Sequence, residues 1–257
     1  MAHGGAGAGP ERLANVERAV AIAAGILDSG GSAIEAAVEA CVVLEDDPVF
    51  NAGTGSVFRT DGSVHLDASI QTSEGKMGFV IGMQDTPNPI RVAADLLDEE
   101  INGLSGDGAR LWADSKGFER SNVQGRPPFE GATDTVGVVA RDKSGLIVCA
   151  TSTGGTSNRP PGRVGDVPLP GCGFWVQDGV GVGATGIGEA ITRGMISLRV
   201  ADRILDGNGL EESMMWALDE CLEEDAEVGI IALGTEGTGH GVSNSTNMPW
   251  ASWIARK

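Results

Sequence analysis

Apolar positions recur at helical spacing between Glu11 and Asp28, where Leu13, Val16, Ala19, Val20, Ala23 and Leu27 mark one face. Gly30 and Gly31 stop that segment. Ser32, with Glu35 three residues on, has the form of a capping box and opens a second helix that runs to about Leu44. Pro48, after Asp46 and Asp47, cannot continue it. From Ser56 the period shortens to two. Ser56 to Thr60, a turn at Asp61-Gly62 and Ser63 to Ile70 read as a β-hairpin, and Met77 to Met83 as a further strand. Asn88-Pro89 opens a helix to about Glu99, and a short one covers Asp107 to Ser115. Residues 117–133 show no period and are rich in turn formers, which marks an exposed connector. A second hairpin follows, Thr135 to Arg141 and Leu146 to Thr151, turning through Asp142 to Gly145. Helices are expected over Glu189 to Leu205 and Leu210 to Glu224, then strands over Val228 to Leu233 and Gly239 to Asn244. Strands and helices in both halves, without a tandem repeat, predict a layered α/β architecture.

Composition narrows the class. With 257 residues, 41% apolar and 21% charged, the chain can bury a core as a single domain spanning 1–257, and no apolar run nears the ~20 residues of a membrane span. Met1 to Pro10 lacks the basic and apolar blocks of a signal peptide. Four scattered cysteines in apolar contexts (41, 149, 172 and 221) read as buried, reduced thiols of a cytoplasmic protein. A net charge of −18 repels a phosphate backbone, so nucleic acid is not an expected partner. The acidic residues are spread out, which fits a solvated surface. Only four lysines and no tyrosine also raise the idea of a salt-rich cytoplasm.

Few routes to chemistry remain. Three histidines (3, 65 and 240) are too separated for a zinc site, and neither a Cys-x-x-Cys nor a Gly-x-Ser-x-Gly pattern occurs. Asn51 to Ser56 lacks the lysine and spacing of a nucleotide loop. The acid-rich run Leu44 to Thr54 is either plain loop or a turn whose carbonyls suit a hard cation. The most informative residues lie on four glycine-punctuated stretches: 133–137, 151–155, 162–166 and 185–189. Together they carry one arginine, two aspartates (Asp134 and Asp166) and several threonine hydroxyls, and Arg163 with Asp166 suits a small zwitterionic substrate. Thr135 stands at the mouth of a strand directly after the connector. Cutting the Asp134–Thr135 bond would leave a threonine with its own α-amine beside its hydroxyl. That amine, with an ordinary pKa of about 7.7–8.0, can serve as base where histidine is lacking.

The sequence resembles the plant-type L-asparaginase / isoaspartyl peptidase family of N-terminal-nucleophile hydrolases. The matching stretches are His3 to Gly7, Gly31 to Glu39, Leu44 to Ser56, Leu66 to Ile70, Asn88 to Ile90, Asp134 to Gly137 and Thr151 to Asp166, in one order over nearly the whole chain. The resemblance implies an α/β fold, a four-layer αββα sandwich, and autocleavage between Asp134 and Thr135 into parts 1–134 and 135–257. It implies Thr135 as nucleophile, with Thr153 touching it and Asn51 nearby. Arg163 would grip the substrate α-carboxylate and Asp166 the α-ammonium; Thr185 and Gly186 would form the oxyanion hole, and Gly188 would close the pocket. Carbonyls of Leu44, Glu45, Asp47, Phe50, Ala52 and Thr54 would hold a structural sodium ion, with no organic cofactor. The implied assembly is a homodimer of αβ units. The implied substrates are asparagine or β-aspartyl dipeptides. Two rival readings are hydrolysis of N4-glycosylated asparagine and an uncleaved, non-catalytic binding or assembly module.

Overall fold

The computed structural model describes residues 1–127, 135–234, 237 and 239–255. Two sheets organise it. The larger contains β1 (Ala2–His3), β2 (Leu66–Thr72), β3 (Met77–Met83), β4 (Gly103–Ser105), β5 (Val136–Arg141), β6 (Ile147–Thr153) and β11 (Trp250–Ala251). Their spatial order is β11-β1-β5-β6-β2-β3-β4. The smaller sheet has the order β10-β9-β8-β7, from β7 (Phe174–Gln177), β8 (Val180–Gly186), β9 (Val228–Leu233) and β10 (Gly239–Ser243). All pairings are antiparallel except β3 with β4.

Helices α1 (Leu13–Asp28), α2 (Ala33–Asp46), α3 (Pro89–Asp95) and α4 (Gly106–Ser115) bury their apolar residues with β2, β3, β5 and β6 in one core. A second core joins α5 (Gly188–Gly194), α6 (Ile196–Leu205) and α7 (Leu210–Glu220) to the smaller sheet. A third, containing Val139, Ile147, Cys149, Phe174, Val176 and Ile231, lies between the sheets. The inter-sheet contact explains the glycines of β8: a Cβ at Gly181 would sit 2.7 Å from Ile147 and 2.8 Å from Val139. The expected capping box is present in part, Ser32 Oγ accepting from the Glu35 N–H at 3.1 Å. Such a cap contributes about 1 kcal/mol.

Several expectations need correction. The first arm of the proposed 56–70 hairpin is not a strand, because both neighbours of β2 are already taken by β3 and β6. That arm bonds instead to the connector, through Phe58 N–H to Arg126 C=O (3.1 Å) and Arg126 N–H to Ser56 C=O (2.9 Å). The single helix expected over 189–205 is two, broken where Met195 adopts a left-handed conformation (φ 46°). β7 and β8 arise from a stretch to which the sequence pattern assigned no element. All four cysteines are free; three are buried, and Cys221 is half-exposed.

Candidate active site

Thr135 immediately precedes β5 and is 4% exposed. The β5–β6 register pairs Val136 with Ser152; continued by one residue, it sets Thr135 opposite Thr153. On the other side of β6, Asp67 pairs with Thr153. Behind Thr135 lies His3: a Cβ at Gly137 would sit 2.3 Å from its Nε2, so only glycine leaves room for the ring. Burial pushes the His3 pKa down to about 3, with the Thr135 backbone pulling the other way. The imidazole is therefore neutral at physiological pH. Asp134 lies outside the described residues.

Asn51 braces the end of β6. Its backbone C=O accepts from Gly154 N–H at 2.8 Å and from the Thr153 hydroxyl at 3.5 Å. Its Nδ2 donates to Gly155 C=O at 2.5 Å and its Oδ1 accepts from Val57 N–H at 3.0 Å. Thr153 Oγ1 also accepts from Gly155 N–H at 3.0 Å. The smaller sheet delivers the other hydroxyl. Gly181 lies against Ile147 and Gly183 against Cys149 and Thr151, so two residues further along β8, Thr185 reaches the Thr153 end of β6. Its Oγ1 accepts from Ala6 N–H at 3.2 Å, which leaves the hydroxyl proton free to be donated. Gly186 follows at φ 135°, where a Cβ would lie 2.2 Å from Glu227 C=O. Only glycine fits.

The charged groups gather next to these hydroxyls. Arg163 donates from Nε (3.1 Å) and Nη2 (2.8 Å) to the two Glu189 carboxylate oxygens. A Cβ at Gly188 would lie 2.7 Å from Asp166 Oδ1 and 2.9 Å from Arg163 Nη2, so the start of α5 closes against both. Asp166 Oδ2 is buried and, among the described residues, has no hydrogen-bond partner. Burial lifts its pKa to about 7. Asp67 accepts from Gly82 N–H at 2.7 Å through Oδ1, while its Oδ2 is also buried and unpartnered. Burial raises it to about 6, opposed by the Gly82 bond and the charges of Arg59 and Arg163. Glu189 moves the other way: burial favours its neutral form, but the Arg163 bonds outweigh this and hold it below the ordinary carboxylate range.

Thr135, Thr153, Asn51, Thr185, Gly186, Gly188, Arg163 and Asp166 therefore occupy one connected region. Sequence reasoning overlooked Asp67, Glu189 and Arg59. Asp67 lies in the stretch Leu66 to Ile70 and Glu189 in 185–189, where the signal is a carboxylate beside glycine or a strand end. Arg59 falls on the expected strand arm 56–60, where an arginine usually faces water. Two of the carbonyls proposed for a cation, those of Glu45 and Phe50, press on glycines of the 44–55 turn. A Cβ at Gly53 would lie 2.6 Å from Glu45 C=O, and one at Gly55 would lie 2.0 Å from Phe50 C=O. No cluster of three or more His, Cys, Asp or Glu side chains able to hold a metal exists among the described residues.

A family model described as Asparaginase matches residues 2–126 and 121–257. A plant-type L-asparaginase of Pyrobaculum calidifontis is 38% identical, over 79% of this chain and 78% of its own. An isoaspartyl peptidase/L-asparaginase of Bos taurus is 35% identical over 91% of this chain and 84% of its own. One of Synechocystis is 33% identical, covering 91% and 81%.

Proposed function

The chain belongs to the asparaginase family, and we propose on that footing that it is a threonine amidohydrolase that matures by cutting itself and then hydrolyses L-asparagine and β-aspartyl dipeptides. The observation that carries this reading is the placement of Thr135 opposite Thr153, with the unpartnered Asp166 carboxylate and Arg163 at the other end of the same buried cluster. We read the chain as one domain and its sheets as the inner layers of an αββα sandwich. The inter-sheet core, with a helix-bearing core on each outer side, supports that.

In the proposed mechanism, cleavage of the Asp134–Thr135 bond frees the Thr135 α-amine. Oγ of Thr135 attacks the side-chain amide carbon of the substrate, and the α-amine takes the hydroxyl proton. The carbonyl oxygen becomes an oxyanion facing the Thr185 hydroxyl and Gly186, where one such donor contributes about 2.7–4 kcal/mol. The C–N bond then breaks, and the leaving nitrogen carries the proton away as ammonia or as a free amino acid. Water, deprotonated by the same amine, hydrolyses the β-aspartyl ester and restores Thr135. Asp166 holds the substrate α-ammonium through its free oxygen, and Arg163, whose Nε and Nη2 are bonded to Glu189, reaches the α-carboxylate through Nη1; asparagine and β-aspartyl peptides present both groups. Thr153 and Asn51 keep the nucleophile end in register.

A sodium ion in the 44–55 turn is part of the same proposal. The backbone fits a hard monovalent cation: carbonyls crowd inward at Gly53 and Gly55, and a carbonyl has a second lone pair even where, as at Asp47 and Ala52, it already accepts one N–H. It would brace the loop that carries Asn51 and takes no chemical part. We also assign a homodimer of αβ units and a cytoplasmic location, the latter fitting four unpaired thiols. No helix among the described residues is long and apolar enough to cross a membrane. The test is turnover of asparagine, β-Asp-Leu and a glycosylated asparagine by purified protein. The proposal requires the first two to yield aspartate. Faster release from the glycosylated compound would transfer the assignment to the rival substrate class.

A further inference from the structure

Arg59 is 2% exposed, and all three nitrogens of its guanidinium are buried without a hydrogen-bond partner among the described residues. A buried arginine keeps its charge, and leaving it unpaired is strongly unfavourable, so its pairing group is expected from outside the chain. The neighbouring charges do not supply it. Asp67 and Arg163 act on Arg59 through space, but no carboxylate among the described residues, Asp67 included, lies within ion-pair distance of it. The Arg163 charge is already matched by Glu189.

Position decides what the missing anion is. The guanidinium lies on Gly155, where a Cβ would be 2.5 Å from Nη1 and 2.6 Å from Nη2. Gly155 in turn donates to Thr153 Oγ1 and accepts from Asn51. Arg59 thus stands at the nucleophile end of the cluster, whereas Asp166, Gly188 and Glu189 stand at the other. A substrate whose α-ammonium and α-carboxylate occupy that other end presents its amide at Thr135, and only its leaving group extends beyond. We propose that Arg59 is a specificity-determining residue that binds a carboxylate on the leaving group, which selects β-aspartyl dipeptides with a free C-terminus. This rests on the amidohydrolase reading above.

The experiment compares kcat/KM for β-Asp-Leu and for its C-terminal amide, in wild type, Arg59→Gln and Arg59→Lys, after a denaturing gel has confirmed maturation of each. Wild type is expected to prefer the free acid by about tenfold or more, the scale of one charge-assisted hydrogen bond. Arg59→Gln should bring the ratio to near one, and Arg59→Lys should keep part of it. Equal use of acid and amide by wild type overturns the inference even if Arg59→Gln fails to fold, and so does a preference that survives in Arg59→Gln. Those outcomes leave the amidohydrolase reading intact; mature wild type that hydrolyses neither dipeptide nor asparagine overturns both.

Discussion

At one end of the site, Arg163, Asp166 and Glu189 are ionisable groups pressed together, Asp166 buried and Glu189 still partly open to water. At the other, Thr135, Thr153 and Asn51 meet as neutral hydroxyls and amides fixed by backbone N–H and C=O groups. The charged end suits recognition, since desolvated charges discriminate strongly between a substrate that pairs them and one that does not. It pays in pH sensitivity, visible in Asp166 lifted to about 7. The second end suits a nucleophile because the groups bonded to Thr153 are uncharged; the nearest guanidinium, that of Arg59, lies on Gly155. A histidine does stand there, but burial holds His3 neutral. The proposed mechanism accordingly divides labour between a carboxylate-bearing grip and a hydroxyl-bearing reaction centre.

The largest expected effect comes from removing the neutral end's only proposed nucleophile. Thr135→Ala should leave a single uncut chain and lower kcat by something on the order of 10⁴-fold or more, as loss of a hydrolase nucleophile does. Next is the charged end. Asp166→Asn keeps the shape, removes the charge, and should reduce kcat/KM for asparagine by about 10- to 100-fold. In wild type, kcat/KM should rise with pH through about 7 as Asp166 ionises, alongside the contribution of the α-amine; initial rates between pH 5 and 9 measure it.

Stability supplies a third contrast. Glu45 is fully buried behind β6, accepts from Ser152 Oγ at 2.6 Å, and has its pKa raised by burial from 4.5 to about 8. The native state therefore holds a proton that the unfolded chain has lost between those values, so stability declines as pH climbs through that window. Glu45→Gln should be no advantage at pH 4–5 and should raise Tm relative to wild type at pH 9. The smallest effect is expected from the cation. Replacing sodium by a bulky organic cation at constant ionic strength should lower Tm by a few degrees, the scale of about 1 kcal/mol, and an unchanged melting curve would remove the sodium from the account.

Much of the larger sheet and its helices was legible because alternation and helical spacing coincide with burial there. α1, α2, β3, β5 and β6 stand close to where hydrophobic periodicity placed them. β8 was hidden because its inter-sheet face carries Gly181 and Gly183, which add no apolar side chain to the alternation although contact between layers is what demands them. The break at Met195 was invisible because the local sequence favours one continuous helix and packing of Gly194 against Cys221 C=O overrides it. The candidate site was read mainly from resemblance. Residue chemistry alone pointed to Thr135 and to a zwitterion grip, but not to Glu189 occupying Arg163, nor to the burial of Arg59. Both depend on proximity between segments far apart in sequence: Arg163 with the first turn of α5, and Arg59 with Gly155.

The whole proposal turns on a covalent event between positions 134 and 135, so intact-mass measurement of the purified protein with sequencing of its chain starts is the most direct test. The account predicts two chains, one beginning at Thr135, with activity appearing in step with the cut. A preparation that remains a single 26.3 kDa chain and hydrolyses asparagine at its full rate would contradict it.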